Sequence, residues 1–185
     1  MKRLTLALGI GLIVYGTPAA QDQRPAGTAG TRPASASANL VDFQGRSVGQ
    51  AVLQQAPHGV LLKLDLKNAT PGVHGLHLHE VGRCERPSFE SAGGHFNPSN
   101  RQHGFMNPRG RHAGDLPNIE VPTTTQFAVE YFLADVTIEP GPQSLTDNNG
   151  SSIVIHAGKD DYAADPAGES GDRLACGEIV RSGAR

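Results

Sequence analysis

The chain has 185 residues, 37% of them hydrophobic, with no Trp, nine Phe plus Tyr, and 36 Gly plus Pro. One turn-rich β domain fits this better than a helix bundle, and no repeat at the solenoid periods of about 20–50 residues is present. The formal net charge is −2, or 14 − 18 = −4 once the first twenty residues with Lys2, Arg3 and no acid are removed. That balance gives no support to nucleic acid or an anionic membrane as a partner.

Met1 to Ala20 reads as a secretory signal. Lys2 and Arg3 form the positive end, Leu4 to Tyr15 the apolar run and Thr17 to Ala20 the small-residue exit, with cleavage near Ala19 or Ala20. The apolar run falls short of the roughly 20 residues of a membrane span, and no cysteine near the exit offers a lipid anchor. An uncleaved anchor or a buried helix is the alternative. Residues 21–38 are mostly Ala, Gly, Pro, Ser and Thr with two Arg, a composition that predicts a disordered spacer. The folded domain is then 39–185.

From Asn39 the pattern becomes β. Expected strands are Leu40–Gln44, Ser47–Gln54, Val60–Leu66, Val73–Glu80, Ile119–Val121, Phe127–Glu139, Ser152–His156 and Leu174–Val180. The run Phe127 to Leu133 is apolar on both faces except for Glu130, which predicts burial on two sides or an exposed patch, the latter a candidate homodimer contact. Two long connections, Val81 to about Leu116 and Ala157–Asp172, stand apart from these strands. Long loops of this kind are usually functional or disordered. The fold class is all-β, a sandwich or barrel.

Six of the eight histidines lie between His74 and His112. Such crowding points to a metal site or a metal-binding tract. In a strand, side chains alternate faces, so His77 and His79 point one way and Leu76 and Leu78 the other. His156, ending another strand, can complete that pair. His95, His103, His112 and Asp115 follow at intervals of eight, nine and three among Gly, Pro and Asn. A loop can fold three imidazoles and a carboxylate around one tetrahedral ion, a donor set acceptable to zinc. His58 and His74 read as solvated. The two cysteines, Cys84 and Cys176, read as a disulfide in an exported chain, with a thiolate ligand or free thiol as the alternative.

Five segments together resemble the copper/zinc superoxide dismutase family. They are G-L-H-L-H-E at Gly75–Glu80, A-G-G-H-F-N-P at Ala92–Pro98, H-A-G-D-L at His112–Leu116, I-V-I-H at Ile153–His156 and G-D-R-L-A-C-G at Gly171–Gly177. The likeness covers about Asn39 to Val180 and is nearest to bacterial secreted members. It implies a Greek-key sandwich or flattened eight-stranded barrel with two long functional loops. It also implies one copper and one zinc per subunit, superoxide as substrate and dismutation as the reaction. By resemblance His77, His79, His95 and His156 are copper ligands, and His95, His103, His112 and Asp115 are zinc ligands. Asp160 resembles the aspartate joining ligands of both metals, Arg173 the active-site arginine, and Cys84 with Cys176 the disulfide. Periplasmic localisation rests on the same likeness. A secreted copper/zinc-binding protein without turnover is the competing reading. Relative to the animal cytosolic form, about seven residues are added between Asp115 and Asp135, and Pro122–Gln126 replaces a Gly-containing hairpin. The loop Ala157–Asp172 is shorter and places no lysine near Arg173.

Overall fold

The computed structural model describes residues 33–147 and 149–183. The expected leader at 1–20 and the spacer as far as 32 lie outside the described residues. No helix among those described is long and apolar enough to cross a membrane.

The strands are β1 Ser35–Asp42, β2 Ser47–Ala56, β3 Gly59–Lys67, β4 Gly72–His74, β5 Leu76–His79, β6 Ile119–Val121, β7 Gln126–Leu133, β8 Ser151–His156 and β9 Arg173–Arg181. Seven form one antiparallel sheet in the order β5-β8-β9-β1-β2-β3-β7, and β4 pairs with β6 in a two-stranded ribbon. That ribbon joins the two edges of the large sheet by chain continuity, since β4 runs into β5 and β6 leads to β7. After β3 the chain crosses to the far edge, which is the Greek-key step. Alternation decides the inner face. Ala36, Ala38 and Leu40, then Val60, Leu62, Leu64 and Leu66, then Leu76, Leu78, Ile153 and Ile155 all enter one core.

Three expectations change. β1 starts at Ser35, not in the forties, because Ser35–Asn39 pairs residue by residue with Gln54–Gln50 of β2 and buries Ala36 and Ala38. Small residues conceal a strand whose neighbours supply its partners. The histidine strand breaks at Gly75, whose N–H donates to Gly158 O while its carbonyl accepts from His156 N, so the two halves take different partners. The eight expected strands therefore appear as nine segments. β7 ends at Leu133, although Val136 and Ile138 remain buried. There the alternation reports burial without a ladder, and Gln55 Oε1 accepts from Thr137 Oγ1 and Ile138 N in place of strand partners. As for Phe127–Leu133, β7 is an edge strand with Phe127, Val129 and Tyr131 packed against the core and Phe132 56% exposed.

The long loop after β5 carries a small core of its own, in which Phe89 and Ala92 pack with Val154 and Cys176. Cys84 and Cys176 are disulfide-bonded across 92 residues of sequence. Closing so long a loop removes entropy from the unfolded chain. Replacing both cysteines by alanine is expected to lower stability by about 2–5 kcal/mol, read as a lower urea midpoint for the metal-free protein.

Candidate metal centre

β5 is an edge strand, and an open edge is a row of unpaired backbone groups. The loops cover it. Leu78 N donates to Gly114 O, Phe96 N to Leu78 O, Glu80 N to Gly94 O and Leu116 N to Leu76 O. His79 thereby lies opposite His95, and His77 opposite Asp115. A Cβ on Gly114 would run into the carbonyl oxygen of Leu78, so this approach requires glycine. Covering one sheet edge is what brings loop ligands against strand ligands.

The structure brings His77, His79, His95 and His156 together, each offering one nitrogen within 4.8 Å of the others. All four are buried. The remaining nitrogen of each ring is already engaged. His77 Nε2 lies 2.7 Å from Asp160 Oδ2, His79 Nδ1 3.0 Å from Gly93 O, His156 Nδ1 3.1 Å from Gly171 O and His95 Nδ1 2.9 Å from Asp115 Oδ1. This leaves His77 Nδ1, His79 Nε2, His95 Nε2 and His156 Nε2 facing one another, with the second and fourth only 3.4 Å apart. His77 Nδ1 and His95 Nε2 are buried with no hydrogen-bond partner. Buried unpaired acceptors of this kind are expensive unless a cation sits among them, so the donor set fits a metal with a preference for imidazole.

On the far side of the His95 ring a second set forms around one carboxylate oxygen. Asp115 Oδ1 is 2.9 Å from His95 Nδ1, 3.0 Å from His103 Nδ1 and 3.2 Å from His112 Nδ1. Asp115 Oδ2 is fixed separately by the backbone N–H groups of Gly104 and His112. Proximity alone also gathers His77 with His95, His103 and Asp115. His112 is the better member, because its Nδ1 is also 3.3 Å from His95 Nδ1 while His77 Nε2 is taken by Asp160. Three imidazoles and a carboxylate without a thiolate suit zinc.

The electrostatics of the metal-free protein divide the same way. Burial holds His95 down to about 4 against the pull of Asp115, and burial together with His77 holds His156 down to about 3. Burial also lowers His103, but its hydrogen bonds to Asp115 and Asp160 override this and raise it to about 9. Burial would raise Asp115 and Asp160, yet the histidines around them hold both below the usual carboxylate range. His95 and His156 therefore stay neutral where the unfolded chain is protonated, and stability falls as pH drops below the unfolded value of 6.5. His103 contributes stability that is complete below 6.5 and lost as pH rises toward 9. The metal-free protein is expected to show a stability maximum near pH 6.5, with denaturant midpoints falling on either side; a midpoint flat from pH 5 to 9 would contradict this.

Sequence comparison matches residues 47–179 to the family described as copper/zinc superoxide dismutase. This chain belongs to the copper/zinc superoxide dismutase family. Superoxide dismutase [Cu-Zn] 2 of Aquifex aeolicus is 39% identical over 97% of this chain and 99% of its own length. Superoxide dismutase [Cu-Zn] of Caulobacter vibrioides is 43% identical over 78% of this chain and 85% of its own. Among solved structures, a SOD-like protein from Bacillus subtilis superposes with a TM-score of 0.75 at 38% identity, covering 78% of this chain and 97% of that one.

Within this superoxide dismutase fold, three residues do work that sequence patterns did not expose. His74, read as solvated, is buried, with Nδ1 2.9 Å from His156 O and Nε2 3.0 Å from Thr70 O. It lies between the Thr70 carbonyl of the turn before β4 and the His156 carbonyl at the bulge; its nearness to the histidine cluster is the only hint in the sequence. Asn118 clasps the backbone of Asp160, its Oδ1 accepting from Asp160 N and its Nδ2 donating to Asp160 O. Tyr162 Oη accepts from Asn118 N at 2.7 Å. Together they aim the Asp160 carboxylate, whose Oδ2 takes His77 Nε2 and whose Oδ1 lies 2.9 Å from His103 Nε2. His58 is exposed, as expected. Arg173, at the start of β9, donates to the carbonyls of Phe89 and Gly93, and Gly93 O is also the partner of His79 Nδ1.

Proposed function

We propose that this chain is a secreted dismutase converting two superoxide radicals and two protons into dioxygen and hydrogen peroxide. The single observation that carries the reading is the His95 ring, which turns one nitrogen to an all-imidazole set and the other to an N3O set. His77, His79, His95 and His156 would hold copper; His95, His103, His112 and Asp115 would hold zinc. Bound copper supplies a one-electron couple, and zinc supplies a fixed charge that does not change oxidation state. His95 Nε2 is the atom at which this chain holds and releases a proton beside the substrate. Arg173 attracts and orients the small anion.

The test is metal analysis of the mature protein together with a superoxide-consumption assay, repeated after copper removal and after restoration. Turnover that needs copper and one equivalent of each metal is the expected result. Stoichiometric binding of both metals without turnover would overturn the reading in favour of a metal-binding protein.

Export to the periplasm is supported by the pattern of residues 1–20 and by the disulfide, which is usual in an oxidising compartment. A mature N-terminus beginning beyond Ala19 or Ala20 in a periplasmic extract would establish it; full-length chain in the cytosol would refute it. The exposed side of β7, where Phe132 pairs across from exposed Leu61, is the place for a homodimer contact. Sedimentation as a monomer at high concentration would remove that contact.

A further inference from the structure

Each ring in the two donor sets has its outer nitrogen anchored except one. His77 and His103 are anchored to Asp160, His79 to Gly93 O and His156 to Gly171 O, while His95 uses both nitrogens within the site. His112 turns Nδ1 toward Asp115 and His95, and its backbone is held by its own turn, through His112 N to Asp115 Oδ2 and Asp115 N to His112 O, and by Arg111 Nη1 donating to His112 O. Its Nε2 points away from the set. Among the described residues, the only carboxylate oxygen close to that nitrogen is Asp165 Oδ1, 3.9 Å away. The same oxygen accepts the backbone N–H of His103 at 2.6 Å.

We propose that Asp165 is a positioning residue for the zinc set, fixing the backbone of His103 and orienting the ring of His112. The inference rests on the reading that His112 faces zinc. A ring committed through Nδ1 keeps its hydrogen on Nε2, and a carboxylate on that side biases the ring's orientation by attraction; at 3.9 Å the pair is a charge contact, not a hydrogen bond. The loop 157–172 thus reaches the centre with two carboxylates five positions apart. Asp160 spans both sets from the buried interior. Asp165, with its side chain 43% exposed, serves the zinc side alone and from the rim. Met106 N to Tyr162 O, at 2.9 Å, ties the same two loops between these points and keeps Asp165 in reach.

The experiment measures zinc and copper affinity of the full chain by chelator competition, and the visible spectrum of cobalt placed in the zinc set. The variants are Asp165→Asn, Asp165→Ala and His112→Ala, with Glu169→Gln as control. Glu169 is an exposed acid of the same loop, so its variant makes the same charge change away from the site. Asp165→Asn can still accept from His103 N but loses the charge facing His112. The expected result is a zinc affinity about tenfold lower for Asp165→Asn and up to 100-fold lower for Asp165→Ala, with a shifted cobalt spectrum and unchanged copper affinity. Zinc affinity within twofold of the parent, equal to that of Glu169→Gln, would overturn the proposal. Parallel loss of copper would also overturn it, since that reports collapse of the loop rather than placement of one ring. His112→Ala separates the two readings. If it leaves zinc binding intact, the assignment of His112 fails; if it weakens zinc while Asp165→Asn does not, only the role of Asp165 fails.

Discussion

Asp160→Ala is expected to lower zinc affinity by about 10–100-fold and to destabilise the metal-free protein at the same time. Among the described residues Asp160 is the only carboxylate at hydrogen-bonding distance from His77 Nε2, and it is the outer partner of His103 Nε2. Both rings are fully buried, so neither nitrogen can turn to water for a substitute. An unpaired buried donor costs about 1–3 kcal/mol, and two are created. Asparagine in the same place keeps the shape and one acceptor, so Asp160→Asn should fall between alanine and the parent. The pH dependence adds an independent check. Hydrogen bonds to Asp115 and Asp160, working against burial, raise His103 to about 9. Without Asp160 that value moves down toward 6.5, and the loss of stability between pH 6.5 and 9 shrinks. Urea midpoints of the metal-free variant at pH 6.5 and 9 should therefore lie closer together than in the parent. Unchanged zinc affinity with an unchanged alkaline slope would contradict the role drawn for this carboxylate.

The role of Asp160 also shows where reading the chain stops. Alternation in Val60–Leu66 makes that strand and its faces legible, because burial on one side of a sheet writes a period of two into the residues. The ligand residues are legible because six of the eight histidines crowd between His74 and His112. The choice of nitrogen on each ring is not, since it depends on which carbonyl or carboxylate waits on the other side. Gly93 O and Gly171 O are backbone atoms, invisible to any pattern of side chains. Asn118 and Asp165 were hidden for a related reason: each acts across two loops that meet only in the fold, and Asn or Asp in a loop is ordinary turn composition. The early start of β1 is not legible in the sequence because Ser and Ala have little β preference, and the strand exists by pairing with β2 and β9.

Arg173→Ala is expected to reduce the rate of superoxide consumption by at least about tenfold at low ionic strength, and to flatten its dependence on salt, while copper remains bound. The guanidinium carries five donors in a rigid plane. Two are spent on the carbonyls of Phe89 and Gly93, which hold the plane still and leave the rest for an anion. The surrounding chain is weakly acidic overall, so a fixed local cation matters more to an anionic substrate than it would on a basic protein. Arg173→Lys tests the two properties apart. Lysine keeps the charge but cannot bridge both carbonyls as a fork, so the salt dependence should survive while the rate at saturating salt falls. Gly93 O gives a second signature, because it receives both Arg173 Nη2 and His79 Nδ1. With the arginine gone, that oxygen serves the histidine alone, and the ring of His79 gains freedom. A change in the copper spectrum of Arg173→Ala accompanied by unchanged copper affinity would place the effect at this shared oxygen. Equal rates for parent and Arg173→Ala at low salt would instead show that the arginine only braces the loop.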